Sequence, residues 1–180
     1  MDIVPLDPTT WEAMAKQIDA DFGDGTANGL IRNGLPVLIE KDGSQSLCLI
    51  PRNWPKHLDI GSDEFQMISM GLRLGEIHGE RLKLNVSILD RLAALTKSKV
   101  VVSRKGAEAF TYGRSIIKES VIEIGLELRR GQLVVVEDRD GNAIGLASLS
   151  VDASRLERLG SDELVAKNLV DVGLYLRRSG

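Results

Sequence analysis

Residues 99–120 read "KVVVSRKGAEAFTYGRSIIKES", and the fold of the second half of the chain turns on them. "KVVVS" has the apolar, β-branched pattern of a buried strand. The segment 104–113 that follows is too short to be a stable helix on its own, so Ala107 and Phe110 are expected to pack on a neighbouring sheet. Gly106 and Gly113 bracket it, and Gly113 is placed to stop the helix in a left-handed conformation. Arg104, Lys105, Arg114 and Lys118 then lie at its two ends and just beyond. Two readings stay open on pattern alone: a docked helix with a solvated basic rim, or a phosphate-binding surface.

Downstream, "VIEIGLELRRG" alternates Ile122, Ile124, Leu126 and Leu128 with Glu123, Gly125 and Glu127, which predicts a half-buried strand with that apolar row inside. "QLVVVED" and "NAIGLASLSV" are joined through "RDGN", where Asp140-Gly141 suits a type I′ hairpin turn. Several short strands with one or two small helices predict a strongly curved sheet or barrel over residues 97–180. "DASRLERLGSDEL" is polar and gives no clear element. In "KNLVDVGLYLRRSG" a buried stripe of Leu169, Val172 and Leu176 is expected, with Arg177 and Arg178 at a helix C-terminus.

Upstream, "PTTWEAMAKQIDADFG" predicts a helix capped by Thr9 or Thr10, with Trp11, Met14, Ile18 and Phe22 at helical spacing and Gly23 ending it. "DGTANGLIRNG" reads as a loop or a short second helix. "LPVLIEK" and "QSLCLI" form a hairpin signal across "DGS", and a second surrounds Gly79 in "MGLRLGEIHGERLKLNVS". "PRNWPKHL" is broken twice by proline, and "VSILDRLAALTKS" closes this half as a short amphipathic helix.

The 180 residues are 43% apolar and 27% charged, as in ordinary globular proteins, and carry a formal charge of −3. That charge is unevenly divided. Residues 1–96 hold 9 basic and 14 acidic side chains, residues 97–180 hold 14 and 12, and residues 97–120 hold 6 and 2. A polyanion is expected on the second half, and protein or solvent on the first. One cysteine, Cys48, excludes an internal disulfide and fits a reducing compartment. With only His57 and His78, a histidine metal cluster is not expected. The start lacks the pattern of a secretory signal, and no apolar run approaches the roughly 18 residues of a spanning helix, so a soluble intracellular protein is expected.

No phosphate-cradling or dinucleotide-binding glycine motif is present. Gly71, Gly75 and Gly79 are spaced evenly, but Leu72, Leu74 and Ile77 around them read as a strand and turn. Cys48 between Leu47 and Leu49 reads as a buried thiol, His57 and His78 as surface residues, and Glu137 with Asp138 as the solvated end of a hairpin. No catalytic triad or acid–base pair assembles from these.

The block "KVVVSRKGAEAFTYGRSIIKES" resembles the opening strand and first helix of a PUA domain, the RNA-binding fold named for pseudouridine synthases and archaeosine transglycosylases. "SMGLRLGEI", "LKLNVSILDRLA", "VVVEDRDGNAIGLA" and "KNLVDVGLYLRR" follow in the order seen in the Nip-seven (nuclear import protein seven) family of large-subunit ribosome biogenesis factors. The short C-terminal ending is more like the archaeal members. The resemblance covers most of residues 65–180. It implies an α+β chain: an N-terminal α/β domain with an antiparallel sheet at residues 1–95, then a PUA-type β pseudo-barrel at residues 96–180.

The resemblance further implies no catalysis, cofactor or metal. Such factors bind RNA through the PUA domain and assist ribosomal RNA processing and large-subunit assembly. The N-terminal domain is left to partners, either ribosome-assembly proteins or an RNA methyltransferase, in the cytoplasm or, in a eukaryote, the nucleolus. The family's basic RNA face near the final strand maps onto Lys167, with Arg155 and Arg158 in the loop before it. That loop is longer here and carries Glu157, Asp162 and Glu163, and position 170 is Val where some relatives are basic.

Lys105, Arg114, Lys118 and Lys167 are expected to contact phosphates. Tyr112 either stacks on an unpaired base or packs into the barrel beside Phe110. Other readings are an accessory subunit that presents RNA to a modifying enzyme, a stand-alone RNA-modifying enzyme guided by its PUA domain, and a PUA-like module that no longer binds RNA.

Overall fold

The computed structural model describes residues 2–41, 43–54, 71–79 and 81–174. The chain is α+β. In order it forms β1 (Asp2–Pro5), α1 (Pro8–Phe22), α2 (Thr26–Ile31), β2 (Leu35–Lys41), β3 (Ser44–Ile50), β4 (Leu72–His78), β5 (Arg81–Leu84) and α3 (Leu89–Leu95). Then come β6 (Lys99–Val102), α4 (Arg104–Thr111), β7 (Ile116–Ile117), β8 (Val121–Ile124), β9 (Leu133–Glu137), β10 (Ala143–Leu149) and β11 (Leu164–Asp171). His57, Leu176, Arg177, Arg178 and part of the proline-broken segment lie outside the described residues.

The first five strands make one antiparallel sheet in the order β1-β2-β3-β4-β5. Met14, Ile18 and Phe22 of α1 pack with Leu47, Leu49, Leu74, Leu82 and Leu84 in one core. Val37, Ile39, Cys48 and Ile50 make a separate cluster. Cys48 is buried, and burial pushes its thiol pKa up, away from the thiolate a nucleophile needs. The cap of α1 is Asp7 rather than Thr9 or Thr10. Its carboxylate accepts from the Thr10 N–H at 3.0 Å, and Pro8 takes the first helical position. Residues 26–31 are the short second helix, and both expected hairpins form.

The remaining six strands form a nearly closed barrel in the order β7-β11-β10-β9-β6-β8, antiparallel except for β6 beside β9. Its interior holds Val100, Val102, Phe110, Ile116, Leu128, Val134, Val136, Ile144, Ala147, Leu149, Val165 and Ala166. The opposite faces of β9 and β10 contribute Val135 and Leu146 to the first half's core, so the two sheets share apolar contact. Polar bonds reinforce that junction. Thr96 Oγ1 donates to the Phe22 carbonyl at 2.6 Å, Gln132 Nε2 to the Asp21 carbonyl at 2.7 Å, and the Leu133 N–H to Asp21 Oδ1 at 3.1 Å. Burial there pushes the Asp21 carboxyl pKa up, with the Leu133 hydrogen bond opposing the shift.

Four expectations for the second half need correction. The row Ile122, Ile124, Leu126, Leu128 is not an inward face: β8 ends at Ile124 and the chain turns, leaving Ile122 52% and Leu126 66% exposed while Leu128 is 3% exposed. The turn after β9 is not a two-residue type I′ loop, because Asp138 donates its N–H to the Asn142 carbonyl. Its carboxylate accepts from the Asp140 and Asn142 N–H groups, which closes a three-residue loop with Gly141 at φ +82. Glu137 is not solvated: it is 9% exposed, and its Oε1 lies 2.7 Å from Lys99 Nζ across the parallel β6–β9 pair. Finally, "KNLVD" is the last part of β11, where a register shift against β10 helps leave Leu169 50% exposed instead of in a helical stripe; Val172, just past the strand, is 42% exposed.

Candidate nucleic-acid interface

Ser103 starts α4 by accepting the Gly106 N–H on its hydroxyl at 3.2 Å, and Gly113 ends it at φ +88 as its position predicts. Gly106 and Phe110 are its buried residues, and they fix which face turns inward. A Cβ on Gly106 would stand 2.8 Å from Ser120 Cβ, so glycine lets the helix lie close to the barrel. Arg104, Lys105, Glu108 and Tyr112 are exposed on the other face. Tyr112 is 76% exposed, so its ring does not pack into the barrel.

Arg104 is partly neutralised by Glu108, 3.5 Å away in an exposed i,i+4 pair. Lys105 and Arg114 have no carboxylate partner among the described residues. Arg114 follows the glycine stop directly. Asn168 on β11 fixes that end of the helix: its Nδ2 donates to the Phe110 carbonyl at 2.8 Å and to the Arg114 carbonyl at 3.4 Å. Asn168 is not among the residues expected from sequence. Read as part of a helix, it had no target; read as a strand residue whose side chain turns towards α4, it positions Tyr112 and Arg114.

The other expected residues do not join one surface. Lys118 Nζ donates to the carbonyls of Leu159 at 2.9 Å and Glu157 at 3.3 Å, so it clamps the loop before β11. Arg155 in that loop lies 3.7 Å from Asp152, whereas Arg158 is exposed without an ion pair among the described residues. Glu163 of the same loop is occupied by the Gly160 N–H. Lys167 alternates with Asn168 along β11, so while Asn168 turns towards α4, Lys167 points to the opposite face. The structure thus brings Lys105, Tyr112 and Arg114 to α4 and the turn that ends it, and separates Lys167 from them.

Among the described residues there is no group of three or more His, Cys, Asp or Glu side chains able to hold a metal, and no helix long and apolar enough to cross a membrane. His78 is exposed beside Glu76 at 3.4 Å. What the geometry offers is cationic and aromatic groups on a braced helix, suited to oxygens and base faces.

A six-stranded barrel with this helix after its first strand, set beside an α+β sheet unit, is the fold of PUA-domain proteins. Residues 98–180 match the model of the UPF0113 PUA domain family. In sequence it is 31% identical over 107 residues to a UPF0113 protein of Archaeoglobus fulgidus, covering 59% of this chain and 60% of that one. It is 28% identical over 112 residues to the 60S ribosome subunit biogenesis protein nip7 of Schizosaccharomyces pombe, covering 62% of each. The chain therefore aligns with about 60% of the length of these relatives. In structure it is similar to a PUA-domain protein of Aeropyrum pernix, with a TM-score of 0.69, 14% identity, and 97% of this chain and 88% of that one covered. A conserved PUA-domain protein from Thermoplasma acidophilum gives 0.65 at 12% identity, with 99% of both chains covered. At these identities the structural likeness concerns the fold.

Proposed function

We propose that the chain is a non-enzymatic RNA-binding factor that assists ribosomal RNA processing and assembly of the large ribosomal subunit. The observation that carries this reading is that α4 and the turn that ends it, in a domain matching the UPF0113 PUA model, leave Lys105, Tyr112 and Arg114 exposed, with both cations free of carboxylate partners among the described residues. Relatives named as 60S biogenesis proteins support the assembly role. In this reading residues 96–180 are the RNA-binding domain and residues 1–95 a domain for assembly proteins, working in the cytoplasm or, in a eukaryotic host, the nucleolus. The acidic balance of residues 1–96, 14 carboxylates against 9 basic groups, favours a second role in which that half docks on an RNA-modifying enzyme and the PUA domain presents its substrate.

The test is fluorescence anisotropy of a U-rich single-stranded RNA with the full chain and with a Lys105→Glu/Arg114→Glu variant at two salt concentrations. Binding should weaken with salt, by roughly 0.7 in the log–log slope per phosphate contacted, and should be lost in the variant. Equal binding by both proteins, or binding by neither, would sink the assignment to α4.

A further inference from the structure

We infer that Arg129, Arg130 and Lys167 form a second phosphate-binding surface for single-stranded RNA, on the face of β11 turned away from α4. The inference rests on the RNA-binding reading above and extends it to the path of the strand. Arg129 and Arg130 open the turn before β9, and that turn is tied down on every side. Gln132 donates its N–H to the Arg129 carbonyl at 3.1 Å while its Oε1 accepts the Arg129 N–H at 3.1 Å. The Arg130 N–H donates to Asp152 Oδ1 at 3.0 Å, and the Gly131 N–H to the Leu149 carbonyl at 2.8 Å, with Gly131 at φ +87. A turn this constrained presents two guanidinium groups from a fixed backbone, and both residues are exposed without a carboxylate partner among the described residues.

Lys167 belongs with this turn. It is the register partner of Ser148 on β10, whose hydroxyl donates to the Gly131 carbonyl at 3.3 Å, so one residue separates the lysine from the arginine turn. Two nearby carboxylates already accept hydrogen bonds, Asp152 from the Arg130 N–H and Asp21 from the Leu133 N–H, and Asp152 also pairs with Arg155; neither forms an ion pair with Arg129 or Arg130. Glu127 and Asp24 line the adjoining cleft with Lys97. Two forked guanidinium groups and an ammonium, held apart on rigid backbone, match oxygens repeated along a phosphate chain. Because β11 carries Asn168 towards α4 and Lys167 away from it, a strand touching both cationic groups crosses the edge of the barrel.

The experiment measures anisotropy of oligouridines of about 6 and about 20 nucleotides, lengths that bracket a small single-strand site. It compares the full chain with Arg129→Ala/Arg130→Ala and Lys105→Ala/Arg114→Ala variants, each checked for an unchanged thermal melt. The longer RNA should bind the unmodified chain at least about tenfold more tightly than the shorter, with a salt slope steeper by roughly 2.1, three contacts at about 0.7 each. In Arg129→Ala/Arg130→Ala most of that advantage should go, the extra slope falling to roughly 0.7 for the one contact of Lys167. Persistence of the full length advantage in this variant overturns the inference, and if Lys105→Ala/Arg114→Ala then abolishes binding, the α4 reading stands alone. If neither variant weakens binding, or the unmodified chain binds no RNA, both fall. Displacement of the RNA from the turn by an equally tight polyglutamate peptide would assign the turn to an acidic protein segment and overturn the inference as well.

Discussion

Replacing Phe110 by Ala should detach the candidate RNA-binding helix from the barrel. Phe110 is 1% exposed and is the one large side chain that α4 buries, among Val102, Ile116, Ala147 and Ala166 of the barrel core. Its ring edge also lies over Gly145, where a Cβ would come within 2.6 Å of Cε1, so the glycine leaves room for the ring. Truncating a buried phenylalanine costs about 3–5 kcal/mol through lost burial and the cavity left behind. That is a large share of the roughly 5–15 kcal/mol that holds a typical domain together. An eight-residue helix has little stability of its own, so α4 should fray before the barrel unfolds. Urea unfolding followed by circular dichroism gives the stability change, and amide hydrogen exchange over residues 104–114 gives the local one. Phe110→Leu, which keeps most of the volume, should cost less than half as much and retain RNA binding. A loss under about 1 kcal/mol in Phe110→Ala, or unchanged exchange protection along α4, would refute this account of how the helix is seated.

Asp21→Asn should stabilise the protein near neutral pH. Burial raises the folded-state pKa above the ordinary 3.8, so the folded form binds the proton more tightly. Its ionised form therefore costs stability above the raised pKa, and that cost disappears as pH falls towards 3.8. The advantage of Asn over Asp in thermal melts should narrow over the same interval, and an advantage that does not change with pH would contradict the assignment. Lys118→Met should loosen the loop before β11 and cost about 1–2 kcal/mol through two backbone carbonyls left without their donor, while the salt slope of RNA binding stays unchanged. Faster amide exchange at residues 157–163 with an unaltered slope is the expected pair of results, and a shallower slope would return Lys118 to the phosphate-contacting group.

The helix of the candidate site was legible because its signals are local. Phe110 as anchor and Gly113 as stop depend on residues a few positions apart, and each does what its chemistry predicts, while the Ser103 cap, equally local, is not among the features expected from sequence. The misread places depend on partners distant in the chain. Ile122 and Leu126 alternate as inward residues do, yet β8 is an edge strand that stops at Ile124, and edge position is not written in a two-residue repeat. Glu137 beside a turn looks solvated until the parallel β6–β9 pairing brings Lys99 to it.

Lys167 is the most consequential of these cases. The family resemblance groups it with Lys105 and Arg114, but in a strand consecutive side chains face opposite ways, and Asn168 already commits its side to α4. The same alternation sets Lys167 beside the Arg129–Arg130 turn, two residues that carry no motif and lie 37 positions or more earlier in the chain. Strand pairing thus divides what the sequence presents as one basic face into two, and an RNA long enough to meet both distinguishes them.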